Sequence, residues 1–358
     1  MTKPSLDIVR NVTNIPTMTF REDGVATFVK FYAMALGFES KTDRFGNLLV
    51  WRGSKPSGVT FTAHMDHPGF EVIAGKKGSA TLALWGKVDP KICEGAKAIL
   101  YTAEGPQRVR VGKQVPSKKY FNRPLFTVKL KGTLAKGDFG HFDLPAFRTK
   151  GDRIETRAAD NLMSVSAILD MFTRLGSKAK GVCGLFTRGE EAGFLGAFGA
   201  METGLVPLKV PLIVLECSSA KHAKVKIGDG PVIRVGDWQS SYDPAIDRWI
   251  HDNAEAMLKK SKDKFQFQRE LLPGGRCEAC VYIAEGYRTG GIALPLGNYH
   301  NQGPRGPAVE YVSHSDYENM VQLMIGLARA KMPGKTFLRD QVKPIRKNFD
   351  KLKKKLTL

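Results

Sequence analysis

The feature that most constrains this chain is a set of short apolar runs that each end in a histidine or an acid. "GVTFTAHMD" closes on His64 and Asp66, "GVCGLFTRGEE" on Glu190 and Glu191, "VPLIVLE" on Glu216, and "GGIALPLGNYH" on His300. Runs of four to eight apolar, β-branched or aromatic residues bounded by Gly and Pro read as buried strands. Open α/β sheets build their sites at the carboxyl ends of such strands. The expectation is an α/β fold, a mixed sheet flanked by helices.

Helices lie between the runs. "GVATFVKFYAMALG" puts Val25, Phe28, Val29 and Tyr32 on one face, with Gly37 placed to end the helix. "RAADNLMSVSAILDMFTRLG" repeats Leu162, Val165, Leu169 and Phe172 at helical spacing. "SDYENMVQLMIGLARAK" reads as a closing amphipathic helix. Between about Gly75 and Lys150 the pattern changes to short strand-like runs such as "ATLALWGKVD" and "LFTVKLKG", broken by Gly, Pro and charged turns. A small all-β barrel or sandwich inserted into the α/β domain is expected. The division is then 1–74 with 151–340 as a discontinuous catalytic domain, 75–150 as the insert and 341–358 as a basic tail.

Lys and Arg number 55 against 35 Asp and Glu, a formal charge of +20. Nucleic acid, an anionic surface or acidic substrates could each answer to that excess. The basic residues are scattered, as in "AGKKGS", "PSKKY" and "MLKKSKDK", and concentrate only in "RKNFDKLKKKLTL". A solvated basic surface is the simpler account, so a nucleic-acid partner is not expected. Five cysteines imply no disulfide framework, and the lone C-x-x-C of Cys277 and Cys280 is a weak case for structural zinc. With no signal-type segment and no apolar run of membrane-spanning length, a cytoplasmic protein without a membrane partner is expected.

Taken singly, the acids and histidines have ordinary explanations. Asp160 could cap its helix, Glu190 and Glu191 could sit in a solvated loop, and His300 could face water. Glu216 is harder to place, because an acid ending a buried strand needs a partner. Together they fit a two-metal hydrolase, which needs a bridging carboxylate, a carboxylate and an imidazole on each ion, and a free carboxylate to accept a proton from water. The adjacent Glu pair can supply a ligand and a base, and Asp66 can accept the other ring N–H of His64 and set its tautomer.

The order and wording of these motifs resemble the co-catalytic metallo-aminopeptidases of the glutamyl aminopeptidase and tetrahedral aminopeptidase type, some of which carry the name endoglucanase. "DRFGNLLV", "AHMDHPGFEV", "GKVDP", "AADN", "TRGEEAGFLGA", "GDGPVIRVGD", "ELLPGG" and "GGIALP...YHN...VEYV...DYENM" carry the resemblance in order along nearly the whole chain. It implies a zinc-peptidase-like α/β domain with an inserted β-barrel that makes contacts between subunits, and a homo-oligomer. It makes Asp160 the bridging ligand, with His64 and Glu216 on one ion and Glu191 and His300 on the other. Glu190 becomes the general base and Asp66 the partner of His64. Two zinc or cobalt ions per subunit and peptide substrates follow.

The chain departs from that pattern at several positions. His67 and Pro68 stand where the family usually has Glu and Val or Ile, and Asn161 and Leu162 where it has an acid and Arg. Glu216 stands for a more usual Asp, Glu278 in "RCEAC" for a Thr-Asp acid, and "NQGPRGP" is an insertion after His300. The resemblance, in which the ligand histidine follows the equivalent of Pro295 at the spacing of His300, implies His300 rather than His314 as the last ligand, with His314 in the first turn of a helix capped by Ser313 and Asp316. A related two-metal deacylase or carboxypeptidase is the nearest alternative; a non-catalytic basic scaffold or nucleic-acid-associated protein is the other.

Overall fold

A computed structural model describes residues 6–355 except 54–55, 117–119, 207, 209, 223, 262–263 and 335. Residues 117–119 of the basic stretch "PSKKY", 262–263 of "MLKKSKDK" and 356–358 of the tail therefore lie outside the described residues.

The apolar runs form the centre of an eight-stranded mixed sheet. Its order is Glu39–Thr42, Leu48–Trp51, Cys183–Thr187, Thr60–His64, Leu212–Ser219, Thr289–Leu296, Val232–Asp237 and Gln268–Leu272. The four strands from Cys183–Thr187 to Thr289–Leu296 run parallel. Parallel strands are covered on both faces, which is why these runs are apolar throughout rather than alternating. Odd and even positions go to opposite layers. Ile213 and Leu215 pack under helices Leu6–Asn14, Ala159–Leu175 and His314–Arg329, while Leu212 and Val214 face Leu195–Glu202 and Ala279–Ala284.

Between His64 and Asp160 the chain leaves this layer structure. Six antiparallel strands close a barrel in the order Gly69–Lys76, Ser79–Trp85, Leu125–Lys129, Gly105–Val115, Lys97–Thr102 and Phe139–Phe142. Phe70, Leu82, Leu100, Val111, Phe126 and Phe142 fill its interior as a separate core. A closed barrel leaves no open sheet edge, so the insert can sit over the carboxyl edge of the main sheet without competing for its strands.

Arg157 ties the two bodies together. It is 2% exposed, donates from Nη1 to the Thr13 carbonyl at 2.6 Å and from Nη2 to the Ile15 carbonyl, and donates from Nε to His141 Nε2 of the barrel at 2.9 Å. His141 stays neutral, its pKa pulled down to about 3 by burial and by the Arg157 charge, so its ring can accept that bond. Arg21 adds a second tie, donating from Nε and Nη2 to the Gly137 carbonyl. Replacing Arg157 with Ala takes the donor from the Thr13 and Ile15 carbonyls and leaves His141 Nε2 only the Tyr101 hydroxyl at 3.1 Å, so Arg157→Ala should cost about 3 kcal/mol of stability. Arg157→Lys should recover little, because one ammonium cannot span the three. Thermal unfolding of the variants checks this; equal midpoints for Arg157→Ala and the parent would refute it.

Candidate metal centre

Five chain segments deliver the site. In the sheet register Thr187 lies beside His64, and Val214 beside Thr62, which brings Glu216 level with His64 at the same edge. Beyond Thr187 the chain makes a tight turn, Glu190–Ala192, flanked by Gly189 (φ 62°) and Gly193 (φ 111°). Left-handed backbone at both ends is inexpensive only for glycine, and it swings the two glutamates inward from a loop that composition alone would leave in solvent. Asp160 enters at the start of the helix that returns from the barrel, and His300 from a turn after Leu296 in which Asn298, His300 and Asn301 all have positive φ.

Asp160 is the centre of the geometry. Its Oδ1 lies 3.4 Å from His64 Nε2 and its Oδ2 lies 3.6 Å from His300 Nε2. Glu216 Oε2 is 3.6 Å from His64 Nε2, and Glu191 Oε1 is 2.7 Å from His300 Nε2. Two trios result, His64–Asp160–Glu216 and Asp160–Glu191–His300, each with donor atoms within 4.8 Å of one another. Ligands at about 2.0–2.1 Å from a tetrahedral ion stand roughly 3.3–3.5 Å apart, close to three of these four separations.

The donors fit a cation. His64 Nδ1 faces the Asp66 carbonyl at 3.1 Å and His300 Nδ1 faces the Lys87 carbonyl at 2.9 Å. A carbonyl requires the N–H on that side, so in the neutral ring both Nε2 lone pairs point at carboxylate oxygens. Asp160 Oδ1, Glu191 Oε1, Glu216 Oε1 and His300 Nε2 are buried with no hydrogen-bond partner among the described residues. Even the 2.7 Å approach of His300 to Glu191 lacks hydrogen-bond alignment. Each such orphan costs about 1–3 kcal/mol, so four converging on one point mark a place built for a positive charge. Imidazole with carboxylate suits zinc and its first-row neighbours.

The titration behaviour agrees. Burial lowers the affinity of His64 and His300 for a proton, yet the charges of Glu190 and Glu191 respectively lead a set of carboxylates that hold both rings well above the ordinary imidazole value. Burial drives Glu190 well above the usual carboxylate range, and Glu191 and Glu216 add to it. Acidic charge is in excess here.

Several supporting contacts were not legible in the sequence. Asp66 accepts from the backbone N–H of Glu190 at 3.0 Å and of Glu191 at 3.1 Å, so it fixes the glutamate turn. The hydrogen bond of the His64 ring goes to the main-chain oxygen of Asp66, with the carboxylate at 3.4 Å. Glu310, fully buried, accepts from the backbone N–H of Asp160 at 2.9 Å and of His300 at 2.7 Å. His67 sits between the Asp160 carbonyl and Asn301 Oδ1, joining a position that departs from the resembled pattern to the inserted segment. Glu22 accepts from the Gly189 N–H and from Arg188. An acid in a strand is no signal by itself; only its backbone partners reveal the role of Glu310.

Other singled-out residues lie elsewhere. His314 is in the first turn of helix His314–Arg329, outside both trios, and Ser313 Oγ accepts from the Asp316 N–H. Asp316 does not cap that helix; it accepts from Gly228 and Gly230. Glu278 is buried, accepts from Thr187 Oγ, and has its carboxyl pushed up to about 8 by burial. The five cysteines are unpaired, and Cys277 Sγ lies 3.3 Å from both Arg234 and Tyr242. The trios open into a cleft of about 810 Å³ to which the barrel contributes Lys87 and Arg123.

Comparison with known proteins gives the same picture. The family model of the M42 glutamyl aminopeptidases matches residues 130–323. An aminopeptidase by name from Acetivibrio thermocellus is 23% identical over 344 residues, covering 89% of this chain and 97% of that protein. Among solved structures, the Pyrococcus horikoshii TET1 peptidase superposes with a TM-score of 0.74 at 22% identity, covering 90% of this chain and 98% of that one. The TET aminopeptidase of the archaeon SCGC AB-539-E09 reaches 0.77 at 19%, covering 91% and 97%. A structure described as an endoglucanase, from Thermotoga maritima, gives 0.66 at 22%, covering 89% and 96%. The chain belongs to the M42 glutamyl aminopeptidase family and is a peptidase hydrolase.

Proposed function

We propose that the protein is a two-metal aminopeptidase that removes the N-terminal residue of peptides, with Asp160 shared between the ions, His64 and Glu216 completing one site, and Glu191 and His300 the other. The observation that carries this reading is the pair of trios joined by one carboxylate, whose buried donor atoms have no other partner. Two zinc or cobalt ions held there would polarise the first peptide carbonyl and bring the pKa of water from about 15.7 toward about 7. The residues of this chain do the rest. Glu190 is the base that takes the proton from the attacking water and returns it to the leaving amine; its raised affinity for a proton suits both halves of that cycle. Asp66 holds Glu190 and Glu191 through their backbone N–H groups and His64 from behind. Tyr299 stacks on the His300 ring at 3.7 Å between centroids and keeps it in place.

The protein works as a homo-oligomer in this reading, with the barrel contributing to subunit contacts. The Pyrococcus horikoshii TET1 peptidase is described as assembling into a tetrahedron or a large octahedral shell, and Phe121 on a barrel loop is 75% exposed here. Analytical ultracentrifugation at micromolar concentration should find an assembly larger than a monomer; a monomer alone would refute the point.

Metal content of the purified protein, read beside hydrolysis of a panel of aminoacyl chromogenic substrates, tests the reading directly. Chelation should abolish turnover and zinc or cobalt restore it. Glu190→Gln should retain both ions and lose on the order of 10²–10⁴-fold in kcat, whereas Glu191→Gln should lower metal stoichiometry. Near-normal turnover by Glu190→Gln would remove it from the role of base. His300→Ala should lose an ion and nearly all activity while His314→Ala stays close to the parent, and the reverse order would show that the wrong histidine has been assigned.

A further inference from the structure

The last helical segments have an apolar face that nothing among the described residues covers. Phe337–Gln341 and Lys343–Leu352 are helices, followed by a short turn at Lys353–Lys355. Leu338, Val342, Ile345, Phe349 and Leu352 recur at spacings of four and three and are all exposed, at 41, 47, 69, 43 and 46%. At 3.6 residues per turn Ile345, Phe349 and Leu352 fall within about 60° of arc. Phe337, at the root of the segment, packs on the main core, and Gln341 donates to Asp252, whereas among the described residues the ion pairs of the segment are all internal to it.

The other faces are basic. From residue 336 to the end there are eight Lys or Arg and two Asp. Lys343 pairs with Asp340, and Arg346 and Lys353 approach Asp350 at 3.5 and 3.6 Å, which leaves most of the cationic groups facing solvent. The matched family segment ends at residue 323, before any of this begins. A second copy of this chain is an unfavourable cover, since two such helices repel across a short apolar seam. A nucleic acid answers the charge but leaves Ile345, Phe349 and Leu352 in water. An anionic lipid surface answers both: the apolar stripe enters the headgroup boundary while lysines meet the lipid phosphates and carboxylates.

We propose that residues 337–355 form a peripheral anchor that lies in the plane of an anionic membrane surface. The absence of a membrane span, which motivated the expectation of no membrane partner, is unaffected: no helix among the described residues is long and apolar enough to cross a bilayer. The anchor lies on the surface and keeps the peptidase there reversibly.

Co-sedimentation of the full-length protein with vesicles of phosphatidylcholine alone, or mixed with phosphatidylserine, tests it. Binding is expected on the mixed vesicles and not on the neutral ones. Ile345→Asp should weaken it at least about tenfold while leaving peptide hydrolysis unchanged, and Lys347→Glu with Lys351→Glu should do the same. Three results would overturn the proposal: no pelleting with anionic vesicles; binding to duplex DNA that Ile345→Asp does not alter, in place of vesicle binding; or a change of oligomeric state in Ile345→Asp without vesicle binding, which would make the stripe a contact between copies.

Discussion

Everything in the catalytic half of this molecule is arranged around one carboxylate. Asp160 presents one oxygen to His64 and the other to His300, and both histidines turn their free lone pairs toward it. Carboxylates and imidazole lone pairs packed this closely, out of water, repel one another strongly in a low-dielectric interior. Positive charge relieves that repulsion, whether it comes as a proton on an imidazole or as a cation among the carboxylates. The unmatched donors are therefore groups that divalent cations could satisfy, and metal binding on such a scaffold would contribute to stability as well as to chemistry.

Holding such a cluster open against its own repulsion requires the backbone to be rigid at five separate points. The chain meets that requirement with acids that accept from main-chain N–H groups. Asp66 grips the Glu190–Glu191 turn, Glu310 grips Asp160 and His300, and Glu22 grips Gly189. Against the effect of burial, His64 and the two backbone N–H groups hold Asp66 below its usual value, so it accepts as a charged group, and such bonds are stronger and shorter than neutral ones; each contact also keeps a buried acid from being left without a partner. Side chains set in this way need little reorganisation when substrate arrives, which is the condition for electrostatic catalysis. His67 and Asn301 add a link absent from the resembled pattern. They join the Asp160 carbonyl to the inserted turn after His300.

The barrel matters to the site by position. Because it leaves the sheet after His64 and returns just before Asp160, it roofs the carboxyl edge, and its Lys87 and Arg123 line the cleft beside the acids. Arg157 fixes that roof through two carbonyls of the catalytic body and a neutral histidine of the barrel.

What the sequence determined is what local physics writes into it. Continuous apolar runs between Gly and Pro require strands buried on both faces, and each run ends where an acid or histidine begins. The change to short broken strands after about Gly75 announces a second, all-β body, although the barrel's first strand starts earlier, at Gly69, and the helical spacing of Leu162, Val165, Leu169 and Phe172 gives the helix that follows Asp160. Motif order then gives the family. What only the tertiary structure decided is which of several charged groups share a point. Glu278 and Glu216 look alike in sequence, both acids beside apolar residues, but strand register sets Glu216 level with His64 while Glu278 turns to Thr187. Glu310 shows the same limit: its partners are backbone N–H groups ten and 150 positions away, and such amides carry no residue identity that a linear pattern could display. The tail follows suit. The sequence reads it as a basic run, whereas its helical form and the exposure of its apolar face depend on where the other helices pack.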